Sequence, residues 1–196
     1  MRGARRFSQA ISEGDGISLL AEVGGAADAA RAEEGGAEGI VVRGVHPEVR
    51  DATELPILWC VAGSLAAAQA AGADAALVVV SGLEDEDGRL EELHAEALDL
   101  GLDCVVEVRD EDELQLALDR VDPEIFLLSG ERADDDAALE HVLGLLLDVP
   151  AGKLAIAGVP VSRADEVAEL ERAGVDAVIV AAADLAALAG ESAREQ

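Results

Sequence analysis

The sequence predicts a single α/β domain folded as a closed (β/α)8 barrel of eight parallel strands, with a short helix before the first strand. Short apolar runs alternate with stretches whose apolar residues recur at helical spacing, which is the pattern of βα units around a parallel sheet. No linker-like stretch divides the chain. These observations predict one compact TIM barrel over 17–190 and an N-terminal helical extension over 1–16. The loops must be short, because this fold typically takes roughly 250 residues.

Eight segments have the composition and length of strands, and most are apolar at every position, as expected for strands covered on both faces. They are Ile17–Val23, Gly39–Arg43, Leu55–Val61, Ala75–Ser81, Asp103–Val108, Ile125–Ser129, Leu154–Val159 and Ala177–Ala182. The alternative is an open doubly wound sheet, which carries a G-x-G-x-x-G fingerprint after its first strand. The doublet Gly24-Gly25 does not match that fingerprint, so the closed barrel is favoured.

Capping residues mark several helices between these strands. Over Glu111–Val121 the apolar residues recur at i, i+3, i+4 and i+7, and Asp110 is placed to cap the first turn. Another helix is predicted to begin at Ser162 and to end at Gly174, and a third to end at Gly101. A short repeat, with glycine for the left-handed helix end and an acidic residue before the strand, marks three helix-to-strand junctions. Its copies are Gly36-Ala37-Glu38-Gly39, Gly72-Ala73-Asp74-Ala75 and Gly174-Val175-Asp176-Ala177.

Composition limits the partners of this protein. The net charge of −28 disfavours nucleic acid and anionic membranes, which are bound by clustered Lys and Arg. No apolar run approaches the roughly 18 residues of a membrane span, and the basic N-terminus is not followed by the apolar region of a secretory signal. Cys60 and Cys104 lie in apolar runs, so we expect buried thiols in a reducing cytoplasm. The single lysine, Lys153, fits a salt-loving cytoplasm or a GC-rich genome, and composition does not separate the two.

Four segments carry motifs that occur in the same order in one enzyme family. Arg5–Ala10 with 17–23 looks like an N-terminal helix and first strand, Glu54–Leu58 like the start of a third strand, and Ala173–Val180 like an eighth. The most specific match is Leu100–Leu114, LGLDCVVEVRDEDEL, which closely resembles the fifth-strand region of indole-3-glycerol-phosphate synthase. The resemblance covers essentially the whole chain, although the part between the first and third strands is shorter than in the family.

The resemblance implies a barrel that closes the indole ring of carboxyphenylamino deoxyribulose phosphate, with loss of carbon dioxide and water, in tryptophan biosynthesis. An active member would be a carboxy-lyase that needs no cofactor. That chemistry uses a lysine acid, a second lysine on the substrate, carboxylates on the first and fifth strands, and a phosphate cradle on the last strands. In this sequence Glu22 and Glu107 stand at the two carboxylate positions.

The other functional positions of the family differ here. Gly24 stands where one family lysine lies, and Cys60 replaces the lysine acid. The polar residues of the last three strands are replaced by Leu128-Ser129-Gly130, Ile156-Ala157-Gly158 and Ala181-Ala182. The single lysine precedes the seventh strand, at the opposite, stability-related face of a barrel. A phosphorylated carboxylate carries about three negative charges, so we expect it to bind poorly at this mouth.

The replacements leave three alternatives for the mouth. Glu22, Cys60 and Glu107 lie on odd-numbered strands, whose side chains share a layer, so they are expected to converge there. They would form a rearranged acid–base site, a relict in which the carboxylates pair with arginine or water, or a pocket without chemistry. We therefore predict these three as catalytic positions, rearranged or relict. Substrate-binding candidates are Trp59, which is also a candidate for core packing, Ser129, Arg132 and Gly158.

Other polar groups give weaker signals. The three histidines, His46, His94 and His141, are scattered and lack the spacing of metal ligands, so no metal site is expected. The acidic runs Glu84–Asp87 and Asp134–Asp136 are interpreted as solvated loops or helix starts.

Three functional hypotheses remain. The first is a divergent family member without the synthase reaction, acting as a binding or scaffolding protein. The second is an active synthase with a rearranged site, and the third is a barrel for another small, uncharged or cationic ligand. Inward-pointing Arg43, Arg109 and Arg132 would favour the second, because an anion needs cations at the mouth. A small-molecule ligand is the expected partner. A homodimer is compatible with the sequence, which selects no interface.

Overall fold

A computed structural model describes the backbone of residues 5–14, 16–44, 46–60, 64–83, 88–131, 133 and 137–192, and side chains in these ranges up to residue 188. In this part of the chain, eight parallel strands close into a barrel in sequence order, with the eighth paired to the first. The strands are β1 (Ser18–Val23), β2 (Gly39–Val42), β3 (Ile57–Trp59), β4 (Ala75–Val79), β5 (Asp103–Val108), β6 (Ile125–Ser129), β7 (Leu154–Gly158) and β8 (Ala177–Ala181). The predicted (β/α)8 barrel is confirmed.

Helices alternate with the strands on the outside of the barrel, and a further helix precedes the first strand. They are α1 (Arg6–Ser12), α2 (Ala26–Glu34), α3 (Val49–Ala52), α4 (Leu65–Ala70), α5 (Arg89–Asp99), α6 (Glu111–Arg120), α7 (Ala138–Leu146), α8 (Ala164–Ala173) and α9 (Leu185–Ser192). Among the described residues, no helix is long and apolar enough to cross a membrane.

Two predicted strands were clearly too long. The third was predicted over Leu55–Val61 but forms only at Ile57–Trp59, because Pro56 has no amide hydrogen to donate to the ladder. The fourth ends at Val79 rather than Ser81, since the chain turns at Gly82, which has a φ of +90°. The ends of β5 and β6 are as predicted.

Helix ends follow the predicted chemistry at α6 but not at α8. Asp110 caps α6 by accepting a hydrogen bond of 2.9 Å from the Glu113 amide. Helix α8 was predicted to begin at Ser162, but Arg163 is its N-cap residue and Ala164 its first helical residue. The start shifts because the Glu166 carboxylate reaches back to the preceding loop. The three junction glycines of the repeat have the positive φ predicted for them, at Gly36, Gly72 and Gly174.

Strand residues alternate between two apolar layers, one inside the barrel and one between the barrel and the helices. The interior cluster consists of Leu20, Val41, Leu58, Ala75, Val105, Ile125, Leu127, Ile156, Ala177 and Ile179, joined by Phe7 and Ile11. The outer cluster includes Val23, Val42, Trp59, Val78, Val106 and Val178. This alternation fixes which side chains at the strand ends face the mouth.

Helix α1 closes the amino-terminal end of the barrel. Its side chains Phe7 and Ile11 are 0% and 2% exposed and belong to the interior cluster. The Ser8 amide donates a hydrogen bond of 2.9 Å to the Asp103 carboxylate at the start of β5. With this end filled by apolar side chains, a ligand would enter through the opposite, carboxyl-terminal mouth.

Aspartates of the repeat hold the strands in register at the same closed end. Asp74, before β4, accepts a hydrogen bond of 3.0 Å from the amide of Ile57, the first residue of β3. Asp176, before β8, accepts one of 2.8 Å from the amide of Ala155 in β7. Each carboxylate satisfies an amide at the start of the preceding strand, so the repeat has a structural role.

Candidate functional site

The carboxyl ends of β1 and β2 bring one predicted residue, Glu22, against a guanidinium. Arg43, directly after β2, donates a hydrogen bond of 2.8 Å from Nε to Oε2 of Glu22. The Glu107 carboxylate also favours the charged form of Arg43 and helps to raise its pKa. Glu22 and Arg43 are thus in direct contact and both line the cavity at the mouth, while the convergence of Cys60 and Glu107 with them stays a prediction.

The environment of Arg43 strengthens its positive charge. Burial alone would lower the pKa of this guanidinium, but the hydrogen bond to Glu22 and the nearby acidic groups outweigh it and raise the pKa. Both side chains of the pair are about two-fifths exposed, at 42% for Arg43 and 43% for Glu22. The site therefore holds a permanent cation, and a guanidinium is not a proton donor at physiological pH.

The second predicted carboxylate, Glu107, has its own arginine partner. Its Oε1 atom lies 3.0 Å from Nε of Arg109, two residues further along the chain. The same guanidinium contacts the Glu131 carboxylate at 3.1 Å, in the loop after β6. The backbone of Arg109 is also held, because its amide donates to Glu113 and its carbonyl accepts from Nε2 of His141 at 2.8 Å. Arg109 thus bridges two carboxylates at the mouth.

The Cys60 thiol is held in its neutral form. Burial raises the pKa of this thiol to about 12, and the charges of Glu107 and Glu22 act in the same direction, against the opposing effect of Arg43. A thiol is nucleophilic only as the thiolate. Cys60 is therefore unsuited to act as a nucleophile at neutral pH.

A cavity of about 620 Å³ opens at the mouth, between β1, β2 and the loops that follow β6, β7 and β8. Its apolar wall consists of Ala133, Ala138, Val159, Pro160, Val161, Ile179, Val180 and Ala181. Its charged groups are Glu22, Glu131 and Asp184 against Arg43. The volume is that of a small-molecule site, and the lining side chains that the structure describes carry a net charge of −2, from three carboxylates and one guanidinium.

Four backbone amides around this cavity already have partners within the chain. In the loop after β7, the amides of Ser162 and Arg163 donate to Oε2 of Glu166 at 3.0 and 3.1 Å. The Gly130 amide donates to the Gly158 carbonyl, and the Ala182 amide donates to the Glu22 carbonyl. Phosphate sites of barrels use such amides after the last two strands. Here the chain's own oxygens occupy the four amides named above.

The predicted substrate-binding residues are not all at the mouth. Gly158 lines the cavity, and Ser129 is buried at the end of β6, where its hydroxyl accepts a weak hydrogen bond from the Glu131 amide. Trp59 lies in the outer cluster between barrel and helices, so its prediction as a ligand contact is corrected to the packing role. Arg132 and the acidic runs Glu84–Asp87 and Asp134–Asp136 lie outside the described residues.

Histidine and lysine side chains contribute little to the mouth. No group of three or more metal-ligating residues occurs within the ranges that the structure describes. His46 pairs with Glu48, and burial lowers the pKa of His94, against the opposing charge of Glu124. Lys153 precedes β7 and contacts the carboxylate of Asp122 at 2.7 Å. The lysine thus lies at the closed end, as its position in the sequence predicted.

Two features of the site were not foreseen from sequence. Glu166 was not singled out, yet its carboxylate accepts hydrogen bonds from two amides of the preceding loop. Asp184 was not singled out, yet it lies on the cavity wall just before α9. A glutamate three residues after a loop residue is a common capping pattern, and this spacing was the available signal for Glu166.

Comparisons with known proteins converge on one family. The family model for indole-3-glycerol phosphate synthase matches residues 61–189. The indole-3-glycerol phosphate synthase of Salinibacter ruber is 34% identical over 120 residues, 59% of this chain and 42% of that protein. The synthase of Acidithiobacillus ferrooxidans is 35% identical over 135 residues, 67% of this chain and 51% of that protein. The chain therefore spans about half the length of the curated relatives it matches.

A solved structure supports the fold independently. The N-acetylmannosamine-6-phosphate 2-epimerase of Clostridium perfringens superposes with a TM-score of 0.67, at 14% identity, over 92% of each chain. At this level of identity the likeness concerns the barrel architecture alone.

Proposed function

The chain belongs to the indole-3-glycerol phosphate synthase family, and from that premise we propose that it is a member without the ring-closing reaction, which keeps the barrel as a binding or scaffolding protein. The observation that carries the proposal is the triad of Glu22, Arg43 and Cys60. The family's lysine acid is replaced by a neutral thiol, and the nearest cation is a guanidinium bonded to a carboxylate.

The electrostatics of the mouth support the same proposal. Ring closure by the family route needs an acid that gives up a proton near neutral pH, and neither Cys60 nor Arg43 has a suitable pKa. The Glu107 side chain is engaged by Arg109. Glu22 and Glu107, at the two positions where the resemblance places carboxylates, would thus hold the mouth together without performing proton transfer.

The loops after β7 and β8 also disfavour the family's phosphorylated substrate. The Glu166 carboxylate accepts the amides of Ser162 and Arg163, and the Asp184 carboxylate lies on the wall of the cavity. A phosphate group would have to displace one carboxylate and approach another. Repulsion between the phosphate and these carboxylates would cost binding free energy.

The second candidate is an active synthase with a rearranged site. It is favoured by Arg43 and Arg109, which lie at the mouth and could hold an anionic substrate. Both arginines, however, already have carboxylate partners. We therefore rank this candidate second.

A direct assay separates the two candidates. Formation of indole-3-glycerol phosphate from carboxyphenylamino deoxyribulose phosphate would be followed at low and high salt, with an active synthase of the family as positive control. Glu107→Gln and Cys60→Ala would be measured beside the wild type. We expect no turnover in any variant. Wild-type turnover that Glu107→Gln abolishes would overturn the proposal and support the rearranged site.

Substrate binding should be measured in the same experiment by calorimetry. Trp59 packs in the outer layer, so its fluorescence is a poor reporter for a ligand at the mouth. We expect no heat of binding for the phosphorylated substrate. Binding without turnover would agree with a barrel that lacks the ring-closing reaction. It would contradict the expectation that the loops after β7 and β8 exclude a phosphorylated substrate.

A further inference from the structure

The cavity at the mouth joins an apolar wall to carboxylates that outnumber the cations among its described lining residues, and we infer that it binds a small cation with an apolar body, such as an aryl-alkyl amine. This inference rests on the proposed function, because it assigns a ligand class to the same mouth. The juxtaposition that carries it is the wall of Val159, Pro160 and Val161 within one 620 Å³ cavity with Glu22 and Asp184.

The charge balance of the cavity disfavours an anion. Arg43 is the cation among the described lining residues, and its Nε atom is already bonded to Glu22. Arg109 lies beside the cavity and is shared between Glu107 and Glu131. Asp184 forms no ion pair with any residue that the structure describes, so its charge is available to a ligand.

The hydrogen-bond donors of the cavity point to the same conclusion. The amides of Ser162 and Arg163 are taken by Glu166, and that of Ala182 by the Glu22 carbonyl. The Asp184 amide donates to the Ala181 carbonyl. These amides are therefore taken, whereas the carboxylate oxygens of Asp184 can accept hydrogen bonds from an ammonium group.

The apolar wall of the cavity favours a ligand that carries an apolar body beside its positive charge. Val159 and Val161 are buried to 5% and 6% exposure, and Ile179 to 7%. Val159 and Val161 lie in the loop directly after β7, and Ile179 lies within β8. A cavity of this size buries most of a drug-sized molecule. An inorganic cation alone would leave its apolar wall exposed to water. An amine with an aromatic or aliphatic body covers both parts.

The negative net charge of the whole protein also attracts cations, but it does not by itself create a binding site. A net charge of −28 concentrates cations everywhere near the surface. The test must therefore distinguish a specific site from this diffuse attraction. Removing one charge at the cavity and one charge far from it gives that distinction.

Three probes of one shape and different charge test the ligand class. Phenethylamine is cationic, phenylpropanol is neutral, and hydrocinnamate is anionic at neutral pH. Their binding would be measured by calorimetry at ionic strengths of about 0.1 M and about 1 M, where screening lengths are about 10 Å and about 3 Å. We expect the amine to bind most tightly at both. Equal binding of the three probes, tighter binding of hydrocinnamate, or absence of binding would overturn the inference.

Two carboxylate variants locate the site. Asp184→Asn removes a charge on the cavity wall, and Asp148→Asn removes an exposed charge just after α7, outside the cavity lining. Asp184→Asn should weaken phenethylamine binding by about threefold to fivefold, while Asp148→Asn leaves it unchanged. Equal effects of the two variants would show that only the diffuse field attracts the amine and would overturn the site.

A cavity-filling variant tests the apolar half independently of charge. Ala181 is exposed at the end of β8 and lines the cavity, so Ala181→Phe should fold and occupy space at the wall. Folding would be checked by circular dichroism. We expect amine binding to be lost although every carboxylate remains, and retained binding would place the amine elsewhere.

The synthase assay keeps this inference separate from the proposed function. If the wild type turns over the phosphorylated substrate, the proposed function fails whatever the amine does. If there is no turnover and phenethylamine does not bind, the proposed function stands and the inference about the cation fails.

Discussion

Arg43 Nε lies 2.8 Å from Oε2 of Glu22, and this pair joins the carboxyl ends of the neighbouring strands β1 and β2 at the barrel mouth. Because both side chains are partly exposed, the pair contributes little to stability. Its effect on chemistry is larger. It supplies a positive charge beside Cys60, where the family resemblance places a lysine, but a guanidinium does not supply a proton.

Glu107 and Arg109 give the first stability prediction. The Glu107 side chain is 5% exposed and that of Arg109 is 24% exposed. Glu107→Gln removes the charge that balances the partly buried guanidinium, so we expect the free energy of unfolding to fall by about 1–3 kcal/mol. Urea denaturation followed by circular dichroism measures this change.

Glu131→Gln is the matched control for that prediction. Glu131 contacts the same guanidinium at 3.1 Å, but its side chain is 63% exposed. Its loss should cost less than about 1 kcal/mol. If the two variants destabilise the protein equally, burial does not govern the strength of this network.

Alkaline pH should destabilise the folded chain through its two cysteines. Burial raises the pKa of both Cys60 and Cys104 to about 12, from an ordinary value of 9.0. Between these values the unfolded chain loses thiol protons that the native chain keeps, so stability falls as pH rises. Each thiol contributes up to roughly 1.4 kcal/mol per pH unit in this window.

The composition makes this alkaline effect measurable. The sequence has no tyrosine and one lysine, so few other groups titrate in the same range. Urea midpoints would be compared between pH 8 and pH 10.5 for the wild type and for Cys60→Ser with Cys104→Ser. We expect the fall in stability to shrink in the double variant. An unchanged fall would assign the effect to other groups.

Because α1 closes the amino-terminal end of the barrel, we expect its aromatic residue Phe7 to contribute strongly to stability. Phe7 is fully buried in the interior cluster, so Phe7→Ala leaves a cavity beneath the barrel and should cost about 3–5 kcal/mol. Gln9→Ala, on the exposed face of the same helix, controls for helix propensity and should change stability by less than about 0.5 kcal/mol. Thermal and urea unfolding measure both, and a small effect of Phe7→Ala would mean that α1 packs loosely.

Strand patterns in the sequence predicted the barrel because each run of β-branched residues is long enough to be recognised without tertiary information. The third strand was misjudged, since Pro56 shortens its ladder. The left-handed backbone of the repeat's glycines was predictable because it depends on the residue type alone. Gly174, for example, has a φ of +96°, which suits a residue without a side chain.

The site was less predictable, because its geometry depends on distant pairs. Glu22, Cys60 and Glu107 lie on odd-numbered strands, and this predicted that they share a layer of side chains. The sequence did not show whether Trp59 faces the barrel interior or the surrounding helices. Both layers of a barrel are apolar, so composition does not distinguish them. The contact of Glu166 with the loop before it likewise follows from backbone geometry rather than from residue type.

Restoring the missing lysine tests whether its loss is the main change at the mouth. Cys60→Lys would place an ammonium near Glu22 and Glu107, where the resemblance places the general acid. We expect this variant to fold and still to form no indole-3-glycerol phosphate, because Glu166 occupies the loop amides and Asp184 repels the phosphate. Product formation would be assayed beside Cys60→Met, which changes size without adding charge. Turnover in Cys60→Lys alone would show that the filled loops do not exclude the substrate and that one lysine separates this barrel from the family reaction.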